Sequence, residues 1–345
     1  MKCKQLLSAC LLGTIGIGIL SGCSAFNEVA TVNEDDGTIT LSIAYNDQTE
    51  SVTGLLASDF AERLETLSDG KMTVNVYPSG QLGSDKELIQ SCISGDIEFV
   101  VQNHAAQVNN VPEAGVLDMP FLFQNIQQAR TAIDNPEFRE SFDKAYENKN
   151  LKLLLISDNG FREMTSNKNI QTLDDFKGLD IRTMENPIHL AIWQALGANP
   201  TPMNRSEVFL ALQQGLLQAQ EDPNTNNLLN GYNEVQTYAV QTNHLFHDVT
   251  VITNLEFYNT LPEEYRGWID EASKEALETS RAVSDTKNNE QDLIDAGMEV
   301  VHLSDDVYAQ IVKAEEDTVW PMIRKNVGDE LVDNLLAARE RAAAK

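Results

Sequence analysis

Cysteine is nearly absent from the body of this chain. Of four cysteines among 345 residues, Cys3, Cys10 and Cys23 lie at the start and only Cys92 is interior. A disulfide framework and any multi-cysteine metal site are thereby excluded. Cys92 falls in an apolar helical pattern with Leu88, Ile89 and Ile93 and reads as a small core residue. Positive charge is also scarce. The 25 Lys and Arg against 53 Asp and Glu leave a formal net charge of -28, a surface that repels phosphate backbones and excludes nucleic acid as a partner. There is no Gly-x-Ser-x-Gly elbow, no phosphate-cradling glycine-rich loop and no Cys-x-x-Cys, so neither a cofactor nor enzymatic activity is expected. His244 and His247, three apart and followed by Asp248, would need a third ligand to hold zinc, and the sequence names none; they read as a polar loop entering a strand at Val249. His104, His189 and His302 stand alone.

What is present begins with a targeting segment. Lys2 and Lys4 precede an apolar run from Leu6 to Leu20, too short to span a bilayer, which ends in Leu20-Ser21-Gly22-Cys23. That ending resembles the bacterial lipoprotein box, which implies a signal peptide over 1–22, cleavage before Cys23 and diacylation of its thiol. Residues 23–38, with Glu28, Glu34, Asp35 and Asp36, read as a flexible acidic tether. No other stretch is long and apolar enough to cross a membrane, so the expected product is extracytoplasmic and held to the bacterial cell membrane by lipid.

The 42% hydrophobic content supports sizeable cores, and the length suggests about two domains. Alternation predicts strands at 39–45, 72–77 and 97–101, with helical spacing between them and a capping box, Ser84 and Glu87, opening the second helix. The same rhythm resumes with strands at 151–156, 180–183, 249–253 and 300–303, and helices at 187–196, 206–214 and 305–325. A helical pattern over 262–295 is long enough to run across both domains. Alternating strands and helices predict a two-lobed α/β fold, and the cleft between two such lobes is a favoured ligand site. Arg162 and Arg182 follow or end predicted strands, where open α/β sheets bind ligands, and a guanidinium there matches a carboxylate in bidentate fashion.

Ordered stretches along almost the whole body carry a family resemblance. They include 76–83 (VYPSGQLG), 118–123 (DMPFLF), 159–162 (NGFR), 177–182 (KGLDIR), 196–203 (LGANPTPM), 206–208, 211–213, 234–236 and 242–244. The chain resembles the solute-binding subunit of tripartite ATP-independent periplasmic (TRAP) transporters, of the C4-dicarboxylate-binding type. The resemblance implies a periplasmic-binding-protein-like fold closing by a hinge on a small organic acid, which is then delivered to the membrane permease subunits. It places a carboxylate-pairing arginine on Arg182, a second basic position on Arg162, and cleft-lining asparagines on Asn46 and Asn103. The implied division is 39–159 with 248–287 as the first domain and 160–247 with 288–340 as the second.

Three positions depart from the family pattern. Asp222 stands in Gln220-Glu221-Asp222-Pro223 where asparagine is usual, Arg205 stands where an aromatic ring is common, and Glu185 follows Arg182 by three residues. Arg205 could pair with Asp222 or Glu185, or these groups could read ligand hydroxyls, since carboxylates accept well from them. The segment 184–187 (MENP) also looks like members that take sugar acids. The expected ligand is therefore a uronate or related sugar acid, with a C4-dicarboxylate next. Two rival readings are a sensing protein that presents its ligand to a membrane receptor, and an extracellular enzyme acting on acidic sugars with Asp222 and Glu185 as its acid–base pair.

Overall fold

The computed structural model describes Ala30 and residues 32–343; the signal segment, Cys23 and most of the tether lie outside the described residues. The chain runs β1 (Ile39–Ala44), α1 (Val52–Leu67), β2 (Met72–Tyr77), α2 (Asp85–Ser94), β3 (Phe99–Gln102), α3 (Ile126–Ile133), α4 (Pro136–Glu147) and β4 (Leu151–Ser166). Then come β5 (Asp180–Thr183), α5 (Pro187–Ala195), β6 (Asn199–Pro202), α6 (Arg205–Gln213), β7 (Ala219–Asp222), α7 (Asn224–Leu229) and β8 (Tyr238–Asn254). It ends with α8 (Leu255–Thr260), α9 (Glu263–Ser284), α10 (Glu290–Asp295), β9 (Glu299–His302), α11 (Asp305–Val327) and α12 (Asp329–Ala343).

One sheet connects everything, in the order β2-β1-β3-β8-β4-β7-β5-β6, with β9 also pairing β8. Two long antiparallel strands make it continuous: β4 and β8 pair from Leu151↔Asn254 to Ser166↔Tyr238. β3 adds to the Asn254 end of β8, and β7 adds to the Ser166 end of β4. Each end of the sheet thus carries its own parallel group, β2-β1-β3 in one lobe and β7-β5-β6 in the other. The apolar face of α1 (Leu56, Phe60, Leu64) and that of α9 (Ile269, Ala272, Ala276) share one core cluster with β1. A larger cluster unites α2 through α5 with α11 and α12, and Cys92 is buried in it.

Several sequence expectations change. The strands expected at 151–156 and 249–253 are the ends of strands 16 and 17 residues long. Ser157, Asp158 and Asn159, beyond the expected end of that first strand, are fully buried within β4, where neighbouring side chains satisfy them. The helix expected over 262–295 is two helices, interrupted after Ser284 where Asn288 takes φ 60°. α9 packs on α1 and β4. The end of the tether is not free chain: Asn33 N–H donates to Thr38 O at 2.7 Å, Ala30 and Val32 pack on the α1–α9 cluster, and the Tyr265 hydroxyl donates to Gly37 O. The capping box is present, and it starts α2 at Asp85.

Candidate ligand site between the lobes

Arg182 is the penultimate residue of β5, and its parallel neighbour β6 leads into the turn that carries Met203. The guanidinium is 3% exposed. Its Nε and Nη2 donate to the single carbonyl of Met203, at 3.0 and 2.8 Å, and its Nη1 is buried with no partner. No carboxylate of the described residues lies within ion-pair distance of it. Burial accordingly lowers its pKa from the usual arginine range. Leaving such a cation uncompensated costs several kcal/mol as an order of magnitude, which makes it a candidate receptor for an anion. Arg182 lines a cavity whose polar wall also includes Asp85, Lys86, Asn109, Glu185 and Arg205.

Arg205 opens α6 behind its N-cap Asn204 and reaches between the lobes. Its Nη1 donates to Asp222 Oδ2 at 2.7 Å, in β7, and its Nη2 lies 3.0 Å from Asp47 Oδ1, on the loop after β1. Its Nε is buried without a partner. A second cavity is lined by Asn46, Gln48, Ser79, Phe209 and Tyr232 as well as Arg205. The loop bearing Asn46 and Asp47 is held by the turn at 78–80. Gly80 N–H donates to Tyr45 O and Ser79 N–H to Asp47 O, and at Gly80 (φ +70°) a Cβ would meet Asn46 Oδ1 at 2.8 Å. Asn46 in turn donates to Asp85 Oδ2 at 3.2 Å. Burial pushes the Asp85 carboxyl up, against the pull of Arg205. Glu185 is exposed at the rim, where its backbone carbonyl accepts from Asn109 Nδ2 at 2.7 Å.

Arg162 is engaged elsewhere. It is 1% exposed; its Nε pairs with Glu221, its Nη2 donates to Glu221 O at 2.8 Å, and its Nη1 lies 2.7 Å from His247 Nδ1. Asn103 is likewise occupied, donating to Asp248 Oδ1 at 2.6 Å and accepting from Ala105 N–H at 2.9 Å. Both residues belong to a buried polar network that crosses between the lobes. His104 Nδ1 lies 2.7 Å from Asp248 Oδ1 and its Nε2 lies 3.0 Å from Asp118 Oδ1. Two carboxylate acceptors on the two ring nitrogens require an imidazolium. Burial opposes that charge, but Asp248 and Asp118 outweigh it and raise the pKa to about 10. His189 Nε2 shares the same Asp118 oxygen at 3.0 Å, and Asn186 donates to the other at 2.7 Å.

Sequence spacing did not show this network. His104 and His189, read as isolated, meet across Asp118, and His244 and His247 lie inside β8 rather than in a loop. Asp47 and Asp85 gave no signal beyond their acidity. Their neighbourhood to Arg205 arises because the first lobe's loops fold over α6, a contact with a sequence separation of more than a hundred residues. Among the described residues no group of three or more His, Cys, Asp and Glu could hold a metal ion, and no helix is long and apolar enough to cross a membrane.

Comparison with known proteins points in one direction. The pattern of bacterial extracellular solute-binding protein, family 7, matches residues 43–326. A solute-binding protein of Verminephrobacter eiseniae is 33% identical over 266 residues, 76% of this chain and 78% of that one. The C4-dicarboxylate-binding periplasmic protein DctP of Rhodobacter capsulatus is 29% identical over 332 residues, 95% and 97% of the two chains. The crystal structure of the sugar acid binding protein DctPAm from Advenella mimigardefordensis, in complex with galactonate, superposes with a TM-score of 0.84 at 30% identity, covering 88% of this chain and 99% of that one.

Proposed function

The chain belongs to family 7 of the bacterial extracellular solute-binding proteins, the solute-binding subunits of TRAP transporters, and from that premise we propose that it captures a sugar acid on Arg182 and delivers it to the membrane permease. The observation that carries this reading is the buried guanidinium of Arg182, fixed by Met203 O along one edge and unpartnered at Nη1, beside an interlobe cavity. A rigid fork so held is pre-organised for a carboxylate. Asp85, Asn46 and Asn109 on the facing lobe are acceptors and donors suited to hydroxyls. The galactonate bound by DctPAm is such an acid. Uronates share its chemistry and come next in the expected panel, with C4-dicarboxylates, the ligands in the name of the Rhodobacter relative, after them.

The lobes divide at 159/160, 247/248 and 287/288 in this reading, and three observations support a hinge there. Gly160 takes φ +76°, the β4–β8 register shifts between Asp158 and Phe161, and Asn288 donates from Nδ2 to Asn159 O at 2.9 Å. Arg162 and Asn103 then serve as the framework of the closed form, and Arg182, Asn46, Asp85 and Asn109 as its ligand contacts. Cys23 is the attachment point for lipid, with 23–29 as the link to the folded body. The protein acts by binding, without turnover.

Thermal unfolding with a panel of aldonates, uronates and C4-dicarboxylates tests the ligand class, because a ligand that binds only the folded state raises the melting temperature. Shifts confined to succinate and malate would discard the sugar acid. Cell fractionation of Cys23→Ser tests the anchor: the variant should leave the membrane fraction, and continued membrane association would remove the lipid assignment.

A further inference from the structure

We infer that Arg205 is a specificity-determining residue that makes the site select acids with one carboxylate and reject their two-carboxylate counterparts. The inference rests on capture at Arg182 and goes on to fix the charge of the ligand. Two arginines border the cavity, and the apparent match would be one carboxylate for each. The pairing is otherwise. Both terminal nitrogens of Arg205 are engaged by protein carboxylates, Asp222 Oδ2 at 2.7 Å and Asp47 Oδ1 at 3.0 Å. Asp222 is fully buried, and Asp47 is itself fixed by Thr53, whose hydroxyl donates to its Oδ2 at 2.5 Å.

Of the five N–H donors of Arg205, two face these carboxylates, and its Nε–H is buried without a partner. Its charge is already opposed at both terminal nitrogens, so what it has left suits the oxygen of a hydroxyl better than a second carboxylate. A second carboxylate placed there would also approach Asp47 and Asp222, and like charges across a closed interface cost several kcal/mol. Lys86 is the other cation on the cavity wall, but it is exposed and solvent screens it. Among the described residues, Arg182 remains the single buried guanidinium of the cavity without a carboxylate partner. The bridge also ties the first-lobe loop to β7, so a ligand must fit a cleft in which two carboxylates already oppose this one guanidinium.

Matched pairs test the inference by isothermal titration. Galactonate and galactarate share carbon chain and hydroxyl configuration and differ only in a terminal CH₂OH against a carboxylate; erythronate and meso-tartrate form the same pair two carbons shorter. The wild-type protein should bind the monoacid of a pair at least about tenfold more tightly than the diacid. Asp47→Asn removes one of the two negative charges that oppose Arg205 and should shrink that ratio. Arg205→Gln takes the cation from Asp47 and leaves Asp222 only Arg162, 3.5 Å from its Oδ1, and should widen it. A merely structural bridge would weaken both acids alike and leave the ratio fixed, so opposite movements identify the filter, with ligand-free melting as the check on folding. Equal binding of both acids by the wild type, or an unchanged ratio in both variants, overturns the inference and leaves sugar-acid capture intact. Binding of succinate alone overturns the inference and the sugar-acid reading together. Arg182→Ala then shows whether Arg182 still holds the acid.

Discussion

Arg182 and Met203 form an arginine fork on a single carbonyl: Nε and Nη2 of the one donate to the backbone oxygen of the other at 3.0 and 2.8 Å. The fork fixes the plane of the guanidinium before any ligand arrives. Replacing Arg182 by Ala leaves a bound carboxylate buried and unpaired, and should cost about 2–5 kcal/mol of binding by titration calorimetry. Arg182→Lys should also weaken binding, because an ammonium cannot span the Met203 carbonyl and the ligand as a planar fork does. Near-native affinity in either variant contradicts the role given to Arg182.

The His104 imidazolium makes stability depend on pH. Its folded pKa, about 10, lies above the ordinary 6.5, so its contribution is complete below about pH 6.5 and is lost as the pH rises toward 10. The wild-type protein should lose more stability to denaturant between pH 7 and 9.5 than His104→Asn does. Parallel curves for the two proteins would show that the ring is neutral in the fold.

Glu163 points the other way. Burial raises its carboxyl to about 8, although it accepts from Asn243 N–H at 2.8 Å. A carboxyl with a raised folded pKa costs nothing below its ordinary range of about 4.5; its burden grows as the pH climbs from there to 8 and is complete above it. Glu163→Gln keeps an acceptor for Asn243 and should raise the melting temperature at pH 9 while changing it little at pH 5. An equal shift at both values would exclude titration as the cause.

Gly160 occupies the point where β4 and β8 lose register. Its φ is +76°, and a Cβ there would stand 3.0 Å from Asn288 Nδ2. Gly160→Ala should cost about 1–2 kcal/mol from the left-handed backbone alone. With the proposed hinge at this position, ligand affinity should fall along with stability. Loss of stability with unchanged affinity would place the hinge elsewhere.

Much of the fold was legible because it rests on local periodicity. The strands of the first lobe, α2 with its Ser84 box and the buried Cys92 each follow from residues within a few positions of one another. The length of β4 and β8 was not legible. Ser157, Asp158 and Asn159 look like loop residues until Ser280, Arg130 and Asn288, all distant in sequence, supply their partners at 2.7, 2.7 and 2.9 Å. The same holds for the site: the strand-end position marked Arg182, but nothing local separated it from Arg162.

The sequence by itself determined the family, the α/β alternation and the arginine at the end of β5, since motif order and hydrophobic period are properties of neighbours along the chain. Tertiary structure decided which charges are available to a ligand. Coulomb energy depends on distance in space, and only folding brings Glu221 to Arg162, Asp47 and Asp222 to Arg205, and, among the described residues, no carboxylate to Arg182.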